Sequence, residues 1–152
     1  MSIESEYELF SQIELFEDLD PIQLKRLIFV SQRYQLNAGE YLIRQGDMDG
    51  NVFGVLEGEL DVLLDSPDGE VNIAQHGHGE LVGEMSVISG EPRNASVRAS
   101  SPCEVIGFER DNFIKTVTCC PDTALKMMRI LTTRLSKQNQ HLAALSKKQT
   151  NS

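Results

Sequence analysis

With 152 residues and a formal net charge of −9, the chain has the length of one domain with its own core. Its longest run of large apolar residues, Leu27 to Val30, is far too short to span a bilayer, and the acidic start MSIESEYELF lacks both the basic and the apolar part of a signal peptide. Three cysteines, two of them adjacent at Cys119 and Cys120, suit a reducing compartment better than a disulfide framework, so the chain reads as soluble and cytoplasmic. The charge is uneven. Residues 1–125 carry 8 Lys+Arg against all 23 Asp+Glu, a balance of −15, whereas residues 126–152 carry 6 Lys+Arg and no acid, a balance of +6. An acidic body argues against a nucleic-acid interface over the main surface. The basic tail reads as a solvated helix face whose cations favour the C-terminal end, with DNA, a membrane or an acidic partner as alternatives.

Residues 1–32 read as helices. Leu9, Ile13 and Phe16 recur at helical spacing, and Asp20-Pro21 is an N-cap followed by proline at the first helical position. Leu24, Leu27 and Ile28 continue an apolar face to about Ser31. From Tyr34 the period changes to two. Turn residues at Asn37-Ala38-Gly39, Gly46 to Gly50, Gly58, Ser66 to Gly69 and Gly77-His78-Gly79 punctuate the segment every 8–12 residues or so, the spacing of an antiparallel sandwich or barrel. Asp68-Gly69 between two apolar runs predicts a hairpin. Two more strands are expected over Ala95–Ala99 and Glu104–Phe108, and a long helix from Pro121 to about Lys147. The expected fold is α+β and mainly β. It is an antiparallel, jelly-roll-like barrel of about eight strands with N-terminal helices, one short internal helix and a long C-terminal helix. The chain reads as a single domain over 1–152, with the barrel over 33–108 and C-terminal helices over 109–148.

In that last helix Ala124, Met128, Leu131, Leu135, Gln138, Leu142 and Leu145 step by four and three, a heptad seam with one polar member. Such a seam is narrower than packing on the chain's own barrel requires, so residues 124–145 are expected to form a parallel homodimer. Gln138 either fixes register there or meets a ligand.

The chemistry concentrates in Gly83 to Ala99, GEMSVISGEPRNASVRA. Gly83 allows close backbone approach, and the N–H groups at the start of the following helix offer an anion site. Met85 and Ser86 contribute backbone donors to it. Glu84 can accept from a sugar hydroxyl when ionised, or can simply complement the helix start. Arg93 supplies a planar fork of donors suited to a phosphate. The plainer alternative for Arg93 is a surface ion pair with Glu91, worth only about 0–1 kcal/mol. Together these groups suit a sugar phosphate of single negative charge. Arg93→Ala is then expected nearly to abolish binding and to spare the fold.

This segment, with its Gly-Glu start and Arg-x-Ala-Ser end, resembles the phosphate-binding cassette of cyclic nucleotide-binding domains. Tyr41 to Asp47 and Val52 to Leu60 resemble the family's two glycine turns, and nothing between about Leu15 and Leu145 conflicts with its pattern. The likeness is to the regulatory halves of catabolite-activator-type transcription factors and of protein kinases. It implies a 3′,5′-cyclic nucleotide ligand, cyclic AMP first and cyclic GMP second, with no cofactor, no catalysis and a C-terminal helix that moves on binding. Ala95 and Ser96 fit the cassette, whereas Asn94 replaces the usual small residue and leaves the base open. Val62, Ile73 and Ala74 are candidates for an apolar wall against the base, with ordinary barrel core the alternative for each. Gln138 and Asn139 stand about where activator-type members reach the purine. A winged helix-turn-helix follows the long helix in that family, and this chain ends at Ser152 about where it would begin. The resemblance therefore implies no direct DNA binding. Either a separate effector protein reads the ligand or the chain is a piece of a longer protein, the Met1 start favouring a complete one.

Other signals are weaker. His76-Gly77-His78 lacks a third metal ligand at useful spacing, and Asp47 to Gly58 fails as a calcium loop because its twelfth position is Gly58. An iron–sulfur site wants about four cysteines. The rival from another functional class is a dimerisation or interaction module that kept the barrel and binds no nucleotide. The joint presence of Glu84 and Arg93 argues against it.

Overall fold

The computed structural model describes residues 2–133. Helix α1, Ile3–Phe10, is closed by a capping box in which Ser5 N–H donates to Ser2 Oγ at 3.2 Å and Ser2 N–H to Ser5 Oγ at 3.1 Å. Helix α2, Pro21–Phe29, starts as its sequence expects, with Ile22 N–H donating to Asp20 Oδ1 at 2.9 Å and proline at the first helical position. Eight strands follow: β1 Gln32–Leu36, β2 Tyr41–Ile43, β3 Asn51–Glu57, β4 Leu60–Ser66, β5 Gly69–His76, β6 Leu81–Val82, β7 Ser96–Ala99 and β8 Cys103–Glu109. The short helix α3, Glu84–Ser89, interrupts them after β6, and α4, Arg110–Thr118, follows β8. The chain is helical again over 121–133.

The strands form two antiparallel four-stranded sheets, ordered β1-β8-β3-β6 and β2-β7-β4-β5. This is the jelly roll expected from the sequence. The β4–β5 hairpin forms, although its two-residue loop is Pro67-Asp68 instead of Asp68-Gly69. Gly69 closes the loop opposite Ser66 with φ +112°, a backbone that other residues rarely adopt.

One core cluster lies between the two sheets and includes Val55, Leu60, Val97 and Val105. The other joins the helices to the first sheet. There Phe10, Phe16, Phe108 and Phe113 are each at most 1% exposed, and Phe10 meets Phe108 edge-on with centroids 5.8 Å apart. Burial of each ring contributes about 1.5–3 kcal/mol, and an edge-on pair adds about 0.5–1.5 kcal/mol. These rings fasten α1, the 11–19 turns and α4 to the barrel.

The helix over 121–133 packs through Thr123, Met127 and Ile130. Of the heptad seam, Met128 is exposed, and Ala124 and Leu131 are half-buried. The seam therefore lies beside the face that packs on the domain, and the exposed Leu125 flanks it. Leu135, Gln138, Asn139, Leu142 and Leu145 lie outside the described residues. Thr123 is fully buried, and its hydroxyl finds no hydrogen-bond partner among the described residues. Thr123→Val keeps the shape and removes the unpaired hydroxyl. It should raise stability by about 1 kcal/mol, read as a higher urea midpoint at unchanged m-value.

Candidate functional site: the cassette between β6 and β7

Strand β6 delivers the chain to Gly83, whose φ of +84° turns it into α3. A Cβ added at Gly83 would lie 2.5 Å from Arg93 Nη1, so glycine is required both by the backbone and by the approach of the guanidinium. Helix α3 has six residues. A helix that short has little dipole, so the positive charge of the site comes from Arg93.

The structure corrects the surroundings of Arg93. It is 3% exposed, and its ion-pair partner is Asp49, in the turn between β2 and β3, not Glu91. All five guanidinium donors are engaged. Nε donates to Asp49 Oδ2 at 3.1 Å, and Nη2 donates to Asp49 Oδ1 and to the Asn51 carbonyl. Nη1 donates to the Gly83 carbonyl at 2.8 Å and to Ser86 Oγ at 3.0 Å. The Arg93 backbone joins the same turn, its N–H donating to the Asp47 carbonyl and its carbonyl accepting from Gly46 N–H, both at 2.8 Å. Arg93 thus ties the start of α3 to the turn between β2 and β3.

Gly83, Glu84, Met85, Ser86, Arg93, Asn94 and Ala95 share one cavity of about 90 Å³. Its apolar wall is Ile43, Val62, Val82 and Val97. Glu84, only 4% exposed, also lines a neighbouring cavity of about 250 Å³ that reaches Met127 and Leu131. Met85, Ser86 and Asn94 line a third, of about 380 Å³, that reaches Leu131 and Thr132. The cassette is therefore loosely packed against the last helix on both sides.

Not every expected residue reaches the cavity. Ser96 is buried, and its hydroxyl accepts from Gln45 N–H at 2.8 Å, facing the turn after β2. Ile73 has no partner across β4, because pairing passes from Val62–Ala74 to Leu63–Asn72. It is the extra residue of a bulge and takes no part in the wall. Ala74 stands opposite Val62 but is exposed and does not line the cavity. His76 does line it, although its sequence context, His76-Gly77-His78, offers only a weak metal signal. Its place at the end of β5, two residues beyond Ala74 on the same face, is the available signal.

A family model for the cyclic nucleotide-binding domain matches residues 33–118. A lysophospholipase of Neurospora crassa is 30% identical over 119 residues, 78% of this chain and 8% of that protein. The chain thus spans less than a tenth of the length of that curated relative. The regulatory domain of Toxoplasma gondii PKA, co-crystallised with cAMP, superposes with a TM-score of 0.72 at 29% identity, covering 75% of this chain and 44% of that one. A cyclic nucleotide-binding domain from Methylobacillus flagellatus superposes with a TM-score of 0.74 at 29% identity, covering 93% and 82%. With the family model covering more than half of its residues, this chain belongs to the cyclic nucleotide-binding domain family.

Proposed function

We propose that this domain binds a 3′,5′-cyclic nucleotide, cyclic AMP first and cyclic GMP second, and passes the event on through its last helix without catalysis. The observation that carries this reading is the convergence of a buried Arg93, a buried Glu84 and the Gly83 turn on one cavity. In this reading the phosphate meets Arg93 and the ribose meets Glu84 beside Gly83. The cavity of about 90 Å³ is smaller than the roughly 300–1,000 Å³ of a ligand pocket. It takes the phosphate and ribose end, and the base lies outward over Val62 and Ala74. Because every Arg93 donor is already used, the phosphate must exchange for a protein acceptor. Ser86 Oγ is the natural one to yield, since a hydroxyl that stops accepting can rotate and donate to the phosphate.

Glu84 lines both the ligand cavity and the cavity beside Leu131, which couples ligand to the helix over 121–133. Ligand shifts that helix only by its differential affinity for two arrangements. The exposed Met128 and Leu125 face outward for a second copy of the chain, so we place a homodimer contact along 124–145 and assign the output to a separate effector protein in the cytoplasm.

The five filled donors of Arg93 favour a second reading, a module whose arginine serves the fold and which binds no nucleotide. Calorimetric titration with cyclic AMP and cyclic GMP in parallel separates the two. Micromolar or tighter binding of either is the expected result. No heat with either, from folded protein free of carried-over nucleotide, establishes the second reading.

A further inference from the structure

Among the described residues, the cavity draws its polar side chains from the cassette with one exception, His76. The histidine is held in place. Its Nδ1 lies 2.9 Å from Glu80 Oε2, while Glu80 Oε1 accepts from Gly77 N–H at 3.1 Å, so the turn after β5 fixes the carboxylate and the carboxylate fixes the ring. A carboxylate only accepts, so Nδ1 carries the hydrogen of this contact, and in the neutral tautomer that it selects the lone pair lies on Nε2. His76 stands opposite Leu60, two residues beyond the Val62–Ala74 pair on the same face of the sheet. That places it about 7 Å further along the apolar wall. The phosphate end is occupied by Arg93, and the wall itself offers no polar atom. His76 lines the cavity, and with Nδ1 engaged by Glu80 its Nε2 is the acceptor that the neutral ring can offer to a base lying outward along that wall.

We infer that His76 is a specificity-determining residue whose Nε2 accepts a hydrogen bond from the exocyclic amine of the purine, with Glu80 as its positioning residue. This rests on the cyclic-nucleotide reading above. It predicts that the protein discriminates against nucleotides without that amine, and that the discrimination resides in one side chain. The apolar wall alone cannot produce it, because Val62 and Val97 contact any purine face equally.

The test is competition binding with paired ligands: cyclic AMP against purine riboside 3′,5′-cyclic monophosphate, and cyclic GMP against inosine 3′,5′-cyclic monophosphate. For the tighter of the two natural nucleotides, the wild-type protein should favour the amine-bearing member by about tenfold, the range of one buried hydrogen bond and the acceptor left unpaired without it. His76→Leu should bring that ratio to about one while leaving the amine-less analogue bound as before. Strand β5 is an edge strand, so the variant is expected to melt with the wild type. Glu80→Gln, which can donate to Nδ1 and so reverse the tautomer, should also collapse the ratio. A wild-type ratio near one, or a ratio unchanged in both variants, overturns the assignment of His76 and leaves the cyclic-nucleotide reading standing. Absence of any cyclic nucleotide binding in the wild type overturns both.

Discussion

Arg93→Ala should lose nucleotide binding and melt at lower temperature in the same variant. The sequence alone suggests a clean separation, in which a binding arginine is removed and the fold is spared. Burial changes that expectation, because the guanidinium is 3% exposed and saturates five acceptor contacts. Truncation strands the Asn51 and Gly83 carbonyls, each costing about 1–3 kcal/mol when left unpaired. Asp49 is 41% exposed on its side chain and can rehydrate, so it adds little. The expected loss of stability is about 2–5 kcal/mol, with a further 2–5 kcal/mol or so lost from binding. Arg93→Lys separates the two effects. A lysine keeps the charge and can satisfy one or two acceptors, but lacks the planar fork that grips a phosphate. It should recover more than half of the melting temperature lost in Arg93→Ala and still bind at least about tenfold more weakly than the wild type. Wild-type affinity in a folded Arg93→Lys protein would remove Arg93 from the phosphate site and make it purely a fold residue.

What the sequence shows of this protein is what local pattern can carry. The Asp20-Pro21 helix start, the hairpin near Gly69 and the glycine-delimited cassette each need only neighbours in the chain, and each forms. The misses are contacts between distant segments. The plainer alternative for Arg93, an ion pair with Glu91 two positions away, uses the acid nearest in sequence, yet the jelly roll carries the turn between β2 and β3 under the cassette and delivers Asp49 from 44 positions away. The run Asp47-Met48-Asp49-Gly50 resembles a failed calcium loop in sequence, and nothing local marks Asp49 as the partner of Arg93. In the last helix Met127 and Met128 are equally apolar in sequence. Only the position of the barrel decides that Met127 is 7% exposed while Met128 is 58% exposed. Ile73 fails as a wall residue because a bulge has no sequence signature beyond the ordinary strand pattern around it.

Glu6 is the buried charge that no pattern announces, since an acid in the first turn of a helix ordinarily faces solvent and serves the dipole. Here it is 1% exposed and grips Arg33 of β1 through two bonds, Nε to Oε2 at 2.9 Å and Nη2 to Oε1 at 2.5 Å. Arg33 also donates to the Ser31 carbonyl at 2.9 Å. The Glu6 carboxylate holds the Arg33 guanidinium above its ordinary pKa, chiefly through that hydrogen-bonded pair. Arg33→Ala leaves a carboxylate enclosed by protein with no counter-charge, a change that costs about 3–5 kcal/mol for a buried pair. The arginine side chain is itself 32% exposed, which puts the expected loss at the lower end, about 3 kcal/mol. For a domain whose total stability is about 5–15 kcal/mol, that is a large share, and the melting temperature should fall by about 10 °C. Replacing both partners, Glu6→Met with Arg33→Met, removes the stranded charge and should return stability to near wild type. Nucleotide affinity should not follow, because neither residue lines the cassette cavity. If Arg33→Ala melts within about 2 °C of the wild type, under 1 kcal/mol or so, the pair is not what holds α1 to the barrel. That role then falls to the Phe10 and Phe108 rings alone.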